Sequence, residues 1–358
     1  MKSLIYIFVM IFLSGISEYA LPQTYNGEFH ELFFGPQPSG RSEAMGRSIS
    51  SIPGDPNSYF FNPAALTALN GMNINGGASS PSGFDNYPAA SLGYGGASWK
   101  FGKTVTLGFS AEVFNTGEFY QTYTNKTGDT VSGKFNNSIQ NYRLTICSEV
   151  MKDFFAGSNL NFFAPDENFG LLPLDKGNQS GPYLFFDLGI LKVFKFGSKN
   201  LKQDLNISSS LINVNSAGYK YSTGQDEGKL PSIMRIGSSY NLLVNRAFNF
   251  LINAEYEDVL NSKNYESLHT GFEFSLDPLL YLRAGYYAQD IPGKEIQNRF
   301  TYGTGVNIFI LGYFSGMETM PTFKIIFDYS HLNMPSFVKE IQENNKSDLY
   351  AITLTKWF

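Results

Sequence analysis

Between residues 247 and 257 the chain alternates with a period of two. Phe248, Phe250, Ile252, Ala254 and Tyr256 share one face, and Asn249, Leu251, Asn253, Glu255 and Glu257 share the other. Side chains two apart lie on the same side of a strand, so this is a strand with one apolar and one mixed face. The pattern recurs along the chain. Val105, Leu107, Phe109, Ala111 and Val113 oppose Thr106, Gly108, Ser110 and Glu112. Tyr142, Leu144, Ile146 and Val150 oppose Arg143, Thr145, Cys147 and Glu149; Phe323, Ile325, Phe327 and Tyr329 oppose Lys324, Ile326 and Asp328. After Gly71 no amphipathic helix and no run of ~18 apolar residues breaks the sequence of strands. The chain reads as all-β.

Two features separate a membrane barrel from a soluble sandwich. Many segments end in aromatic residues: Trp99 and Phe101, Phe114, Tyr240, Tyr256, Tyr286, Tyr313 and Tyr329. Aromatic ends on an apolar face suit the two lipid interfaces of a barrel. The second face carries Gly, Ser, Asn and isolated charges, where a solvated sandwich face would be rich in Lys and Glu. Charged residues make up only 16% of the chain, beside 33 Phe, 22 Tyr and 35 Gly.

Strand cores are expected at 71–79, 89–101, 104–116, 138–152, 157–166, 181–194, 202–213, 230–242, 246–258, 265–275, 279–289, 298–310, 321–331 and 347–358. That is about fourteen, an even number as antiparallel bacterial barrels require. Long polar connections at 120–137, 166–180, 217–229, 290–297 and 333–346 alternate with tight ones such as 101–103 and 276–278. The last strand carries Tyr350, Ile352, Leu354 and Phe358 on one face, with Lys356 the one departure. This end resembles the terminal strand by which outer-membrane barrels are recognised for assembly.

Lys2 and the apolar stretch 4–13, followed by small residues, read as a cleaved export signal over about residues 1–22. Residues 23–70 form a separate irregular segment ahead of a barrel at 71–358. Within it Asn62 suits a helix cap, Pro63 the first helical position, and 64–69 the body of one short helix, with Asn70 and Gly71 able to end it in a left-handed turn. The expected place is the outer membrane of a Gram-negative bacterium.

The same segment carries a family resemblance. Gly40, Arg41, then Ala44-Met45-Gly46, Asp55 and Phe60-Phe61-Asn62-Pro63-Ala64 look like the N-terminal part of the FadL-like outer-membrane barrels, closest to their PorV/PorQ branch. Leu230-Pro231 before Met234-Arg235-Ile236-Gly237, Leu282-Arg283-Ala284-Gly285-Tyr286 and Phe327-Asp328-Tyr329 fit the same branch. The resemblance implies a fourteen-stranded barrel with an N-terminal hatch inside it. It also implies either docking of partner proteins, a translocon or cargo, in type IX secretion, or passage of hydrophobic small molecules. Docking is the leading reading and passage the alternative.

The faces that point into such a lumen bring together Glu112, Arg143, Glu149, Asp187, Arg235, Asn253, Glu255, His269, Glu273, Arg283, Lys324 and Asp328. Both signs are present, so pairing across the lumen is expected, since unpaired buried charges are costly. Phe60 and Phe61 are expected to pack the hatch in place. Enzymatic chemistry is not expected: the only histidines are His30, His269 and His331, and no nucleophile-elbow, phosphate-loop or zinc-protease motif occurs. His331 follows Ser330, but strand neighbours point to opposite faces. The single Cys147 provides no disulfide and no thiolate metal cluster. No cofactor or metal is expected. A net charge of −5 without a basic tract argues against nucleic acid.

Overall fold

Each period-two segment pairs with its neighbours in the computed structural model, and the pairing closes on itself. The structure describes residues 37–69, 71–79, 90–102, 104–124, 130–165, 183–198, 200–220, 227–245, 247–261, 265–276, 279–290, 296–308, 323–333 and 346–356. The expected export signal, His30, Tyr313 and Phe358 lie outside these residues.

The strands are β1 (Met72–Ser79), β2 (Ser91–Phe101), β3 (Val105–Thr124), β4 (Thr130–Met151), β5 (Phe154–Pro165) and β6 (Tyr183–Gly197). They continue with β7 (Leu201–Ile212), the short β8 (Gly218–Lys220) and β9 (Glu227–Lys229), and β10 (Ile233–Val244). The last are β11 (Phe248–Val259), β12 (Glu266–Leu276), β13 (Leu280–Gln289), β14 (Gln297–Asn307), β15 (Phe323–Asn333) and β16 (Lys346–Lys356). Fourteen of them form a closed antiparallel barrel; β8 and β9 pair only with each other, so β7 is followed in the wall by β10. Met72 opposite Lys356 and Ser79 opposite Leu349 mark the seam between β1 and β16. Closure leaves no unpaired sheet edge, the condition for placing strands in lipid.

Register sends the alternation the way the sequence implies. Phe327 is 52% exposed on the outside, while Ile326 beside it is 7% exposed in the lumen. Leu107, Phe109, Leu144, Ile146, Ile236, Leu268, Phe272 and Leu282 continue the exposed apolar outer face, and Trp99 stacks on Phe101 near its edge. An apolar outside, a polar buried inside and complete strand pairing are the physical description of a lipid-spanning barrel.

Three expectations need correction. First, 120–137 is not a loop: β3 and β4 keep pairing as far as Thr124 opposite Thr130, beyond a register shift between Asn115 and Glu118. The Asn115 side chain accepts from Gly117 N–H at 2.7 Å in the shift, where Gly117 has φ +69°. The polar composition hid a β-branched and aromatic content (Thr122, Tyr123, Thr124, Thr130, Val131) that favours strand. Second, the connection 217–229 contains the β8–β9 hairpin. Third, Phe114 is 1% exposed and points into the lumen, not toward lipid.

Candidate functional site

The lumen is crossed by residues 37–69, and this plug is irregular because its local signals are short. Ser39 caps α1 (Gly40–Ala44), its hydroxyl accepting from Ser42 N–H at 3.1 Å. Gly46 then turns at φ +63°, where a Cβ would lie 2.5–2.8 Å from backbone atoms of Thr270 and Tyr286. Only glycine fits that combination of angle and approach. A 3-10 turn (Ser58–Phe60) precedes a second 3-10 helix (Pro63–Ala68). Asn62 caps it, accepting from Ala64 N–H at 3.0 Å while its amide donates to Ser50 O and Ile190 O. The expected cap and proline are in place, but the helix is 3-10, Leu69 at its end is extended, and the left-handed residue described beyond it is Gly71. The sequence showed no trace of α1, whose Gly and Ser are weak helix formers held by a cap and by burial.

Wall side chains hold the plug largely through its backbone. Thr301 donates to Ala44 O and accepts from Gly46 N–H, both at 3.0 Å; His269 Nδ1 donates to Gly46 O at 2.8 Å. Glu255 accepts from Ile49 and Ser50 N–H at 3.1 and 2.8 Å, and Asn253 donates to Ser48 O. On the other side Asn159 donates to Tyr59 O and Ser210 to Phe61 O, both at 2.8 Å. At Gly157 a Cβ would meet the Pro63–Ala64 backbone at 2.6 Å, so the wall is bare where the plug touches it. Met45, Ile49, Tyr59, Phe60, Phe61 and Leu66 form an apolar cluster with Tyr94, Cys147 and Leu251 of the wall.

The lumen charges fall into three groups. Glu112 pairs with Arg143 at 2.8 Å. Arg235 pairs with Glu257 at 2.6 Å and lies 3.7 Å from Glu255. Arg283 pairs with Glu273 at 2.6 Å and with Asp328, and Arg41 joins this group from the plug, reaching Glu273 at 2.6 Å and Asp55 at 3.0 Å. Asp187 is held by Asn159 and Asn161 amides and the Asn213 N–H. Glu149 is not in the lumen network: it sits half-buried at the β4–β5 turn and accepts from Asp153 N–H at 2.9 Å. A register shift beside it ends the regular alternation there. Within the plug, burial pushes the Glu43 carboxyl above its usual range, against the pull of Arg47 at 3.2 Å.

Above the plug, toward the long connections, the inward faces are apolar. Leu92, Phe114, Ile139, Phe163, Phe185, Ile212, Ile233, Val259, Tyr287 and Leu332 are all buried in one cluster. Most sit near strand ends on that side, while Phe114 and Ile139 lie within the longer β3 and β4, opposite each other and beside Leu92. The sequence reading missed this ring because it took inward positions to be polar. The readable trace was that alternation runs on unbroken while the inward residues change from charged to apolar.

Phe60 and Phe61 form the floor below the ring. They line a cavity of about 40 Å³ with Ile212, Ile233, Arg143 and Arg235. The Arg143 guanidinium lies 4.7 Å above the Phe60 ring and that of Arg235 5.5 Å from Phe61. Such cation–π contacts put positive charge on aromatic faces. The two rings therefore pack the plug and line this small cavity at once.

Below the plug, toward the tight turns, lies a polar vestibule of about 390 Å³. Asn241, Asn249, Ser275, Lys324, Thr353 and Thr355 line its walls, and Arg41 and the 53–57 turn of the plug form its roof. Passed from the long connections to the tight turns, the lumen is thus apolar, then plugged, then polar.

Among known proteins, no family model matches the chain, and no curated protein matches it. Solved structures do. The Pseudomonas putida toluene transporter TodX superposes with a TM-score of 0.54 at 11% identity, covering 90% of this chain and 99% of that one. The CymD monoaromatic hydrocarbon channel gives 0.53 at 11% identity over 90% and 97%. A Pseudomonas aeruginosa FadL homologue gives 0.51 at 11% identity over 90% and 98%. The chain has the fourteen-stranded fold of the FadL-type barrels.

Proposed function

We propose that the chain is an outer-membrane conduit for hydrophobic small molecules, with residues 37–69 as its gate. The observation that carries this reading is the apolar ring inside the lumen, floored by Phe60 and Phe61. A plugged barrel with a purely mechanical role has no need of an apolar ring at one mouth only. An apolar solute entering from the long-connection side is stabilised by about 25 cal/mol per Å² of its surface removed from water. The plug then blocks it from the polar vestibule, so passage requires the plug to shift. The likeness in fold to barrels described as a toluene transporter and a monoaromatic hydrocarbon channel supports the same reading.

The test is entry of a monoaromatic hydrocarbon into vesicles carrying the purified barrel. Entry above that of protein-free vesicles is expected, and it should fall when Phe163 and Phe185 are both changed to Ser. Equal entry with and without protein would sink the reading.

Docking of secretion partners, the other role the sequence resemblance implies, rests on short motifs, and none of the three structures named above is described in those terms. Co-purification from native membrane distinguishes the two. A stoichiometric translocon or cargo partner would favour docking; recovery of the barrel alone favours the conduit.

A further inference from the structure

The plug is held to the wall by apolar packing and by hydrogen bonds to its backbone, those to the Glu255 carboxylate among them, and Arg41 adds a contact of a different kind. Arg41 uses its whole guanidinium: Nε donates to Glu273 at 2.9 Å, Nη2 to the other Glu273 oxygen at 2.6 Å, and Nη1 to Asp55 at 3.0 Å. Glu273 and Asp328 in turn share Arg283. Arg41 and Glu273 thus form an ion pair that ties plug to wall at the vestibule. Every member of this group lines the polar vestibule, and the Arg41 side chain is 21% exposed there, so solvent ions reach it. No member lines the small cavity under the apolar ring.

From this placement we infer that Arg41–Glu273 is an ionic latch, and that the ionic conditions on the tight-turn side set how firmly the plug is docked. The latch regulates the gate proposed above and rests on that reading for its purpose, but not for its existence. Its location divides control of the gate in two. A solute passing the apolar ring would meet Phe60 and Phe61, whereas ions in the vestibule meet Arg41. A forked arginine–carboxylate pair is strong and directional, yet its exposed share is open to screening by salt. Neutral bonds such as Thr301 to Ala44 O have no comparable salt dependence.

The chain carries its own reporter. Cys147 is 2% exposed and packed in the apolar cluster that the plug completes, so a charged maleimide reaches it only when the plug moves. The experiment uses the full barrel in detergent, with heat-modifiable mobility confirming an intact wall. Labelling of Cys147 should quicken as NaCl rises. Arg41→Gln should label about tenfold faster than the parent at low salt, as expected for a lost hydrogen-bonded charge contact, and should no longer respond to salt. Arg41→Lys, which keeps the charge but loses the fork, should fall between. Asn62→Ala loosens the plug by another route and should label faster while keeping the salt response.

Labelling of the parent that does not change with salt would overturn the latch, as would Arg41→Gln retaining the parent's salt response. No transported molecule is needed, so the two readings fail separately. Salt-sensitive labelling without hydrocarbon entry would leave the latch and remove the conduit.

Discussion

Leu251 and Ile252 are consecutive residues on β11, and Leu251 is 3% exposed while Ile252 is 58% exposed. One backbone step crosses the whole barrel wall. Ile252→Arg should therefore put a charge into lipid and block stable insertion, at a cost of about 2–4 kcal/mol if the position lies near the bilayer midplane. Asn253→Arg faces the lumen and should leave insertion intact. It cannot be silent, because Asn253 donates to Ser48 O and is buried against the plug. The expected pair of results is loss of the heat-modifiable form for Ile252→Arg and a folded barrel with a loosened plug for Asn253→Arg.

The Asn62 side chain serves three backbone groups: Ala64 N–H, Ser50 O and Ile190 O. Asn62→Ala removes them all, and the lost cap alone costs about 0.5–2 kcal/mol. Combined with Pro63→Gly, it should leave strand content by circular dichroism unchanged and expose residues 40–70 to protease. A protected segment in that double variant would show that the cap does not hold the plug.

Glu112 and Arg143 are both buried, and 2.8 Å apart. Removing one charge strands the other, so Glu112→Gln should lower stability by about 3–5 kcal/mol, whereas Glu112→Leu with Arg143→Met should cost much less. Denaturant unfolding of the detergent-solubilised barrel measures both. Equal losses in the single and double variants would mean that the pair is not electrostatically coupled.

Gly46 combines φ +63° with backbone atoms 2.5–2.8 Å from where a Cβ would sit. Gly46→Ala should therefore undock the Ala44–Gly46 corner from Thr301 and His269 while the wall stays closed. Faster labelling of Cys147 with an unchanged heat-modifiable shift is the expected outcome.

Deleting Phe358 tests the terminal strand. The folded form in the outer membrane should fall while export across the inner membrane continues. Wild-type levels of folded barrel would remove the assembly role assigned to that end.

The wall was legible in the sequence because a period of two is enforced at every residue by the pleat. Phe248 to Val259 on β11 and Phe323 to Asn333 on β15 lie within about two residues of the expected strands. Pairing order followed, since antiparallel neighbours in sequence are neighbours in the wall. The ribbon formed by the ends of β3 and β4 was missed because Gly, Asn and Thr there look like loop composition, while the bulge between Asn115 and Glu118 breaks the alternation that would have betrayed a strand. The plug was legible only at Asn62-Pro63, where a cap and a fixed φ act locally. Its partners (Thr301, Asn159, Ser210) were not, because a hydroxyl or amide that binds another segment's carbonyl leaves no periodic trace in its own strand. The sequence named charged residues for the lumen, Glu149 wrongly among them, but not their grouping, which depends on how strands are offset around the wall.

The seam between β1 and β16 has a consequence for how this chain comes to exist. Met72 and Lys356 lie side by side in the finished wall, although they belong to its first and last strands. Synthesis delivers these strands at opposite ends of a long interval, and throughout it β1 has a bare hydrogen-bonding edge. Exposed edges of that kind invite pairing with the wrong chain. The ring therefore cannot be closed piecemeal: its completion waits on its last strand, and the chain must be kept from premature pairing until that strand reaches the seam.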